Sequence, residues 1–86
     1  MPFYVYILQS EVKETYYIGS AENPEKRLFY HNNQSRKAYT KRHRPWKLVF
    51  RQGCTSKAEA LKLEQKIKGW KSKLMIRNVI EGKIQI

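Results

Sequence analysis

The strictest constraint on this chain is the alternation in its first twenty residues, MPFYVYILQSEVKETYYIGS. Its β-branched and aromatic residues suit two short strands, and the polar run between them suits a turn. Val5 and Ile7 alternate with Tyr4, Tyr6 and Leu8, so one face takes the aliphatics and the other the tyrosines. Pairing Ser10 with Lys13 around Glu11 and Val12 sets Tyr6 directly opposite Tyr17, and directly opposed residues share a face. Two phenols then point the same way. A slip of one residue would separate them, and Glu-Val is not a favoured two-residue turn.

Downstream, Asn23, Pro24 and Glu25 supply an N-cap, a proline suited to the first helical position and an acid for the positive helix end. A helix is expected from there to about Asn33, with Arg27 and His31 stacked on one face by their four-residue spacing. Residues 35–47, SRKAYTKRHRPWK, have no apolar period and read as a basic loop carrying Tyr39 and Trp46. Residues 46–51 alternate and predict a third strand that ends near Gly53. Ser56 and Glu59 form a capping box for a second helix whose apolar side holds Ala60, Leu61, Leu63 and Ile67. At about 100° per residue Glu64 falls within that arc, which makes it the oddest residue of the chain. Gly69 is expected to end this helix, and Ser72 to cap a third one running to about Ile80 and closed by Gly82.

A chain of 86 residues makes one domain, 1–86, near the small end of what buries its own core. Eighteen Lys and Arg against seven Asp and Glu give a net charge of +11, which repels itself in the folded state and calls for a polyanionic partner. Nucleic acid fits best. No run of about 18 apolar residues exists to span a membrane, and the basic residues are not gathered on one amphipathic helix. The N-terminus lacks the features of a secretory signal. Cys54 alone makes no internal disulfide, and with two scattered histidines it builds no zinc site, so it reads as a small core residue. A cytoplasmic location is the simplest expectation.

A carboxylate on an apolar face needs a cation, because an unpaired buried one would take up a proton instead. For Glu64 that cation is either a neighbouring Lys or Arg or a divalent metal, and a lone carboxylate suits Mg²⁺, which keeps several waters and is completed by phosphate oxygens. Arg27 with His31 would present a positive fork for phosphate, and His31 alone could be a surface residue, a proton-transfer group or an orienter of water. Tyr6 and Tyr17 are either packed strand aromatics or bases. A phenol of pKa about 10 serves as a base at neutral pH only beside positive charge.

At these residues the chain resembles the GIY-YIG nuclease superfamily, in particular its small stand-alone bacterial members. Tyr4-Val5-Tyr6 stands at the first signature tripeptide, and Tyr17-Ile18-Gly19 matches the second. Arg27 and His31 match the Arg-x-x-x-His of the following helix, and Glu64 matches the metal-binding glutamate. Ala38-Tyr39-Thr40, Arg44-Pro45-Trp46 and helix 60–68 extend the likeness over nearly the whole chain. The resemblance implies an α+β fold, a small three-stranded antiparallel sheet flanked by helices in the order β-β-α-β-α-α. It also implies hydrolysis of a DNA phosphodiester with one weakly bound Mg²⁺ or Mn²⁺. In that mechanism Tyr17 or Tyr6 helps deprotonate water, Arg27 holds the scissile phosphate, His31 assists, and the metal on Glu64 stabilises the leaving oxygen. Two departures stand out. Tyr4 replaces the first glycine of the signature, and Ser20 stands where several active relatives have a lysine.

Larger members of the superfamily carry separate DNA-binding domains, for which this chain has no room. Targeting is then expected from Lys37, Tyr39, Thr40, Lys41, Arg42, Arg44 and Lys47, with Trp46 either stacking a base or packed in the core, or else from a protein partner. The competing readings are a nucleic-acid-binding module of the same fold that does not cut, and a basic structural protein of a ribonucleoprotein, which leaves Glu64 unexplained.

Overall fold

The N-terminal hairpin forms as its alternation demands. In the computed structural model, which describes residues 3–34 and 36–85 with the side chain of Tyr39 set aside, β1 (Phe3–Ser10) pairs antiparallel with β2 (Tyr16–Ala21). Its register differs from the expected one. Tyr6 faces Gly19 and Leu8 faces Tyr17, because the turn is residues 11–15 rather than a Glu-Val pair. The Ser10 amide donates to the Thr15 carbonyl (3.1 Å), and the Ser10 hydroxyl accepts from the amides of Val12 and Lys13 (3.2 Å each). The shift is two residues, an even number, so both phenols still leave the same face.

After α1 (Pro24–Asn33), a short α2 (Ala38–Arg42) interrupts the segment expected to be loop. Then β3 (Trp46–Cys54) joins the other edge of β1, giving the strand order β2-β1-β3. α3 (Lys57–Trp70) and α4 (Lys73–Ile80) complete the chain. Asn23, Ser56 and Ser72 cap α1, α3 and α4, each side chain accepting from the backbone amide three residues on. Such a cap contributes about 1 kcal/mol. Helix α3 passes through Gly69, and the left-handed position beyond its end is taken by Lys71 (φ 51°). Trp70, the last helical residue, packs against the core.

The sheet separates two cores. Val5, Ile7, Ile18 and Cys54 pack on one face against Ala60 and Ile67 of α3 and Ile76 and Val79 of α4. Leu63 packs there too, whereas Leu61, expected on the apolar side of α3, is exposed. Tyr6, Leu8, Ala21 and Trp46 pack on the other face with Tyr17, Leu28 and Leu48. A β-bulge decides which residues of β3 join which core. Ile7 faces Phe50 but Leu8 faces Leu48, so Val49 is the extra residue and Leu48 and Trp46 turn to the tyrosine side. Helix α1 lies on that side as well. Asn32 clamps the start of β3 with two bonds: its Nδ2 donates to the Trp46 carbonyl (3.0 Å), and its Oδ1 accepts from the Trp46 amide (2.6 Å).

Candidate active site

Tyr6 stands on the central strand, where its side chain is 1% exposed. Its ring reaches outward over β2 at Gly19. A Cβ at position 19 would lie 2.6 Å from the phenol oxygen and 2.8 Å from Cζ, so glycine there is a requirement of the phenol. On the far side the oxygen lies 3.3 Å from His31 Nε2, and Arg27 donates a hydrogen bond to it. Which of the phenol and Nε2 donates is set by the His31 tautomer, since the phenol oxygen can accept from Arg27 in either case. Nδ1 is buried without a partner among the described residues. That costs about 1–3 kcal/mol, an expense not easily explained by packing alone.

Burial, followed by the charges of Arg27, Lys37 and Arg44, lowers the His31 pKa to about 4. The imidazole is therefore neutral at pH 7 and fully buried. This corrects two expectations. His31 is not a surface residue, and it does not form a positive fork with Arg27. The guanidinium is braced instead by the Tyr30 ring, 4.6 Å below it, one turn along the helix. Arg27 pulls the Tyr6 pKa down, but burial outweighs it and the net shift is upward.

Tyr17 is half-buried. Its ring lies 4.5 Å from the His31 ring, tilted by 55°, and 6.2 Å edge-on from Trp46. Glu64 comes from α3, across the sheet from α1, and its charge still reaches Tyr6. Its side chain is 14% exposed, and its Oε2 accepts from Lys68 Nζ at 2.6 Å. Tyr6, Tyr17, Arg27 and His31 thus meet on the tyrosine side of the sheet, and Glu64 stands on α3, which packs on β1 and β2 from the other face. Beside them Arg27 and Lys26 line a groove of about 640 Å³ with Phe3, Ser20 and Asn23.

Residues 2–78 match the GIY-YIG catalytic domain. The chain belongs to the GIY-YIG nuclease family. A UPF0213 protein of Staphylococcus saprophyticus is 37% identical over 92% of this chain and 95% of its own length. The structure-specific endonuclease subunit SLX1 of Kluyveromyces lactis is 48% identical over 69% of this chain, a match spanning 23% of that protein. The solution structure of the UPF0213 protein BH0048 of Bacillus halodurans superposes with a TM-score of 0.59 at 28% identity, covering 96% of this chain and 86% of that one.

In this GIY-YIG domain the first signature glycine is replaced without a clash. Tyr4 lies between Ala21 and Gly53 on the neighbouring strands, where small residues leave room for its ring. The basic segment is less uniform than its sequence suggests. Lys37, Lys41 and Arg42 are exposed. Thr40 is fully buried, its hydroxyl donating to the Lys37 carbonyl (3.2 Å) and its carbonyl accepting from Trp46 Nε1 (2.9 Å), so it cannot meet nucleic acid. Trp46 is a core residue, out of reach of a base. Arg44 Nε donates to the His31 carbonyl (2.9 Å) and so ties this segment to α1. Lys47 is exposed as well; it faces Gln9 and lines a hollow beside the hairpin turn. Tyr39 lies in α2, and its side chain is outside the described residues.

GIY-YIG nucleases generally use divalent metal ions, and Glu64 is the carboxylate that suits one here. Its charge is met in this structure by Lys68, one turn along the same helix. No group of three or more His, Cys, Asp or Glu gathers among the described residues. The donor set is therefore one carboxylate, which fits an ion that keeps most of its waters. The sequence search did not single out Tyr30, Asn32 or Lys68. The i,i+3 spacing of Arg27 and Tyr30 and the i,i+4 spacing of Glu64 and Lys68 were available signals. Nothing in the sequence marks Asn32.

Proposed function

We propose that this domain is a metal-dependent endonuclease that hydrolyses DNA phosphodiesters, on single-stranded or structured DNA in repair or recombination. The observation that carries the reading is the arrangement around the tyrosines. A guanidinium and two phenols meet there beside an open groove, the charge of a carboxylate on α3 reaches Tyr6, and simple binding has no need of the carboxylate. Likeness to a protein named a structure-specific endonuclease subunit supports structured DNA as substrate and a protein partner for targeting.

In this reading Arg27 donates to the non-bridging oxygens of the scissile phosphate, held in place by Tyr30 and Tyr6. Tyr17, the more exposed phenol, acts as the base in its phenolate form, taking the proton of the attacking water to become the neutral phenol. The new P–O bond forms as the bond to the leaving oxygen breaks. The hydrogen bond between Tyr6 and neutral His31 keeps the phenol oxygen turned toward Arg27. Glu64 would hold a Mg²⁺ or Mn²⁺ ion, which supplies charge for the leaving oxygen. The exposed Lys37, Lys41 and Arg42 hold the strand electrostatically.

The test is cleavage of labelled single-stranded, duplex and branched DNA in Mg²⁺ or Mn²⁺ by the wild type, Glu64→Ala and Tyr17→Phe. Both variants are expected to lose at least about 100-fold in rate. Equal cleavage by wild type and Glu64→Ala would sink the reading. Binding without cleavage would favour a non-catalytic nucleic-acid-binding module.

A further inference from the structure

A second basic surface lies outside the segment 37–47. Between β2 and the junction of α3 with α4 runs a groove of about 250 Å³, lined by Tyr16 and Ile18 from the strand and by Lys68, Lys71, Ser72 and Lys73 from the helices. No acid lines it. Glu14, next to the groove residue Thr15 in sequence, is already paired with Arg77. Lys71 occupies the left-handed position that ends α3, where glycine would avoid a cost of roughly 1–2 kcal/mol. The chain keeps a lysine there and leaves its glycine, Gly69, inside the helix.

Three ammonium groups sharing one groove repel one another unless an anion joins them. Lys68 is the exception, because it also reaches Glu64 at 2.6 Å. The groove is thus one lysine's length from the Glu64 carboxylate, on the α3–α4 side of β2, with Tyr6 and α1 across the sheet. A strand that meets a metal on Glu64 would come within reach of Lys68 and so of this groove.

We infer that the groove binds a second phosphate of the same nucleic-acid strand, and that Lys68 exchanges between Glu64 and that phosphate. The inference rests on the proposed function. Lys68 and a metal ion compete for one carboxylate, and a phosphate in the groove offers Lys68 another anion. Strand binding therefore favours metal binding at Glu64, and by reciprocity metal binding favours the strand.

Two measurements test this on the full chain. The first is the salt dependence of binding to a fluorescent single-stranded oligonucleotide, compared between wild type and a Lys71→Ala/Lys73→Ala variant. Each lost phosphate contact should lower the slope of log affinity against log salt by about 0.7. The second is Mn²⁺ binding, read from the paramagnetic resonance of the free ion, for Lys68→Met and for Lys62→Met as a charge-matched control. Lys68→Met should bind Mn²⁺ several-fold more tightly than the control and lose most of the enhancement caused by oligonucleotide. An unchanged slope in the double variant would overturn the groove, and equal Mn²⁺ affinities in the two methionine variants would overturn the exchange. Failure of every protein, wild type included, to bind the oligonucleotide would overturn the proposed function itself.

Discussion

Gly19 shows how one residue's identity can be dictated by another's side chain. With φ in the ordinary strand range, its backbone needs no glycine. The Tyr6 ring does, since a Cβ would sit 2.6 Å from the phenol oxygen. Gly19→Ala should displace the phenol from His31 and Arg27, lowering any cleavage at least about tenfold and stability by about 1–3 kcal/mol. Rate assays and chemical unfolding check both effects. His31 yields a pH prediction. Its pKa of about 4 lies below the ordinary 6.5, so between those values the unfolded chain binds one more proton than the folded one. Stability therefore rises with pH across that window and is complete above about pH 7, by on the order of 3 kcal/mol. Unfolding midpoints from pH 4 to 8 should show this rise in wild type and a flatter profile in His31→Gln. The spacing of Arg27 and His31 was legible in the sequence, but the neutrality of the histidine was not. It depends first on burial, which only folding creates, and then on the charges of Arg27, Lys37 and Arg44.

Among the elements, α3 does most to join the two sides of the site. Its fully buried Ala60 and Ile67 anchor it to β1 and β2 and so place Glu64 beside these strands. Ile67→Ala should cost about 2–5 kcal/mol, a large fraction of the stability of so small a domain. Thermal melting would show it as a lower midpoint, and an unchanged midpoint would mean α3 is not anchored this way. Element boundaries set by capping chemistry were readable in advance: Asn23-Pro24, Ser56 and Ser72 each start a helix where a side chain can accept from the backbone. Those set by tertiary contacts were not. Short α2 has no capping side chain and few residues, and it is held by the Trp46 indole on the Thr40 carbonyl. The hairpin register likewise followed the Ser10 hydroxyl rather than a two-residue turn.

For the molecule as a whole, the charge of +11 is spread along the chain, with exposed basic clusters at Lys37, Lys41 and Arg42 and at the α3–α4 junction. No helix among the described residues is long and apolar enough to cross a membrane. Because Lys68 can satisfy Glu64, the fold does not depend on a metal. Chelation with EDTA is therefore expected to abolish cleavage while leaving the melting midpoint unchanged within about 1 °C. A large drop in midpoint would indicate a structural ion instead.

Local chemistry in the sequence determined the strands, the three long helices and the shared face of the two tyrosines, since alternation and capping act between near neighbours. Tertiary structure alone decided which lysines stay exposed, why Thr40 and Trp46 do not, and that burial outweighs Arg27 at Tyr6. Those outcomes depend on distances between segments remote in sequence, and desolvation has no value until the groups that exclude water have met.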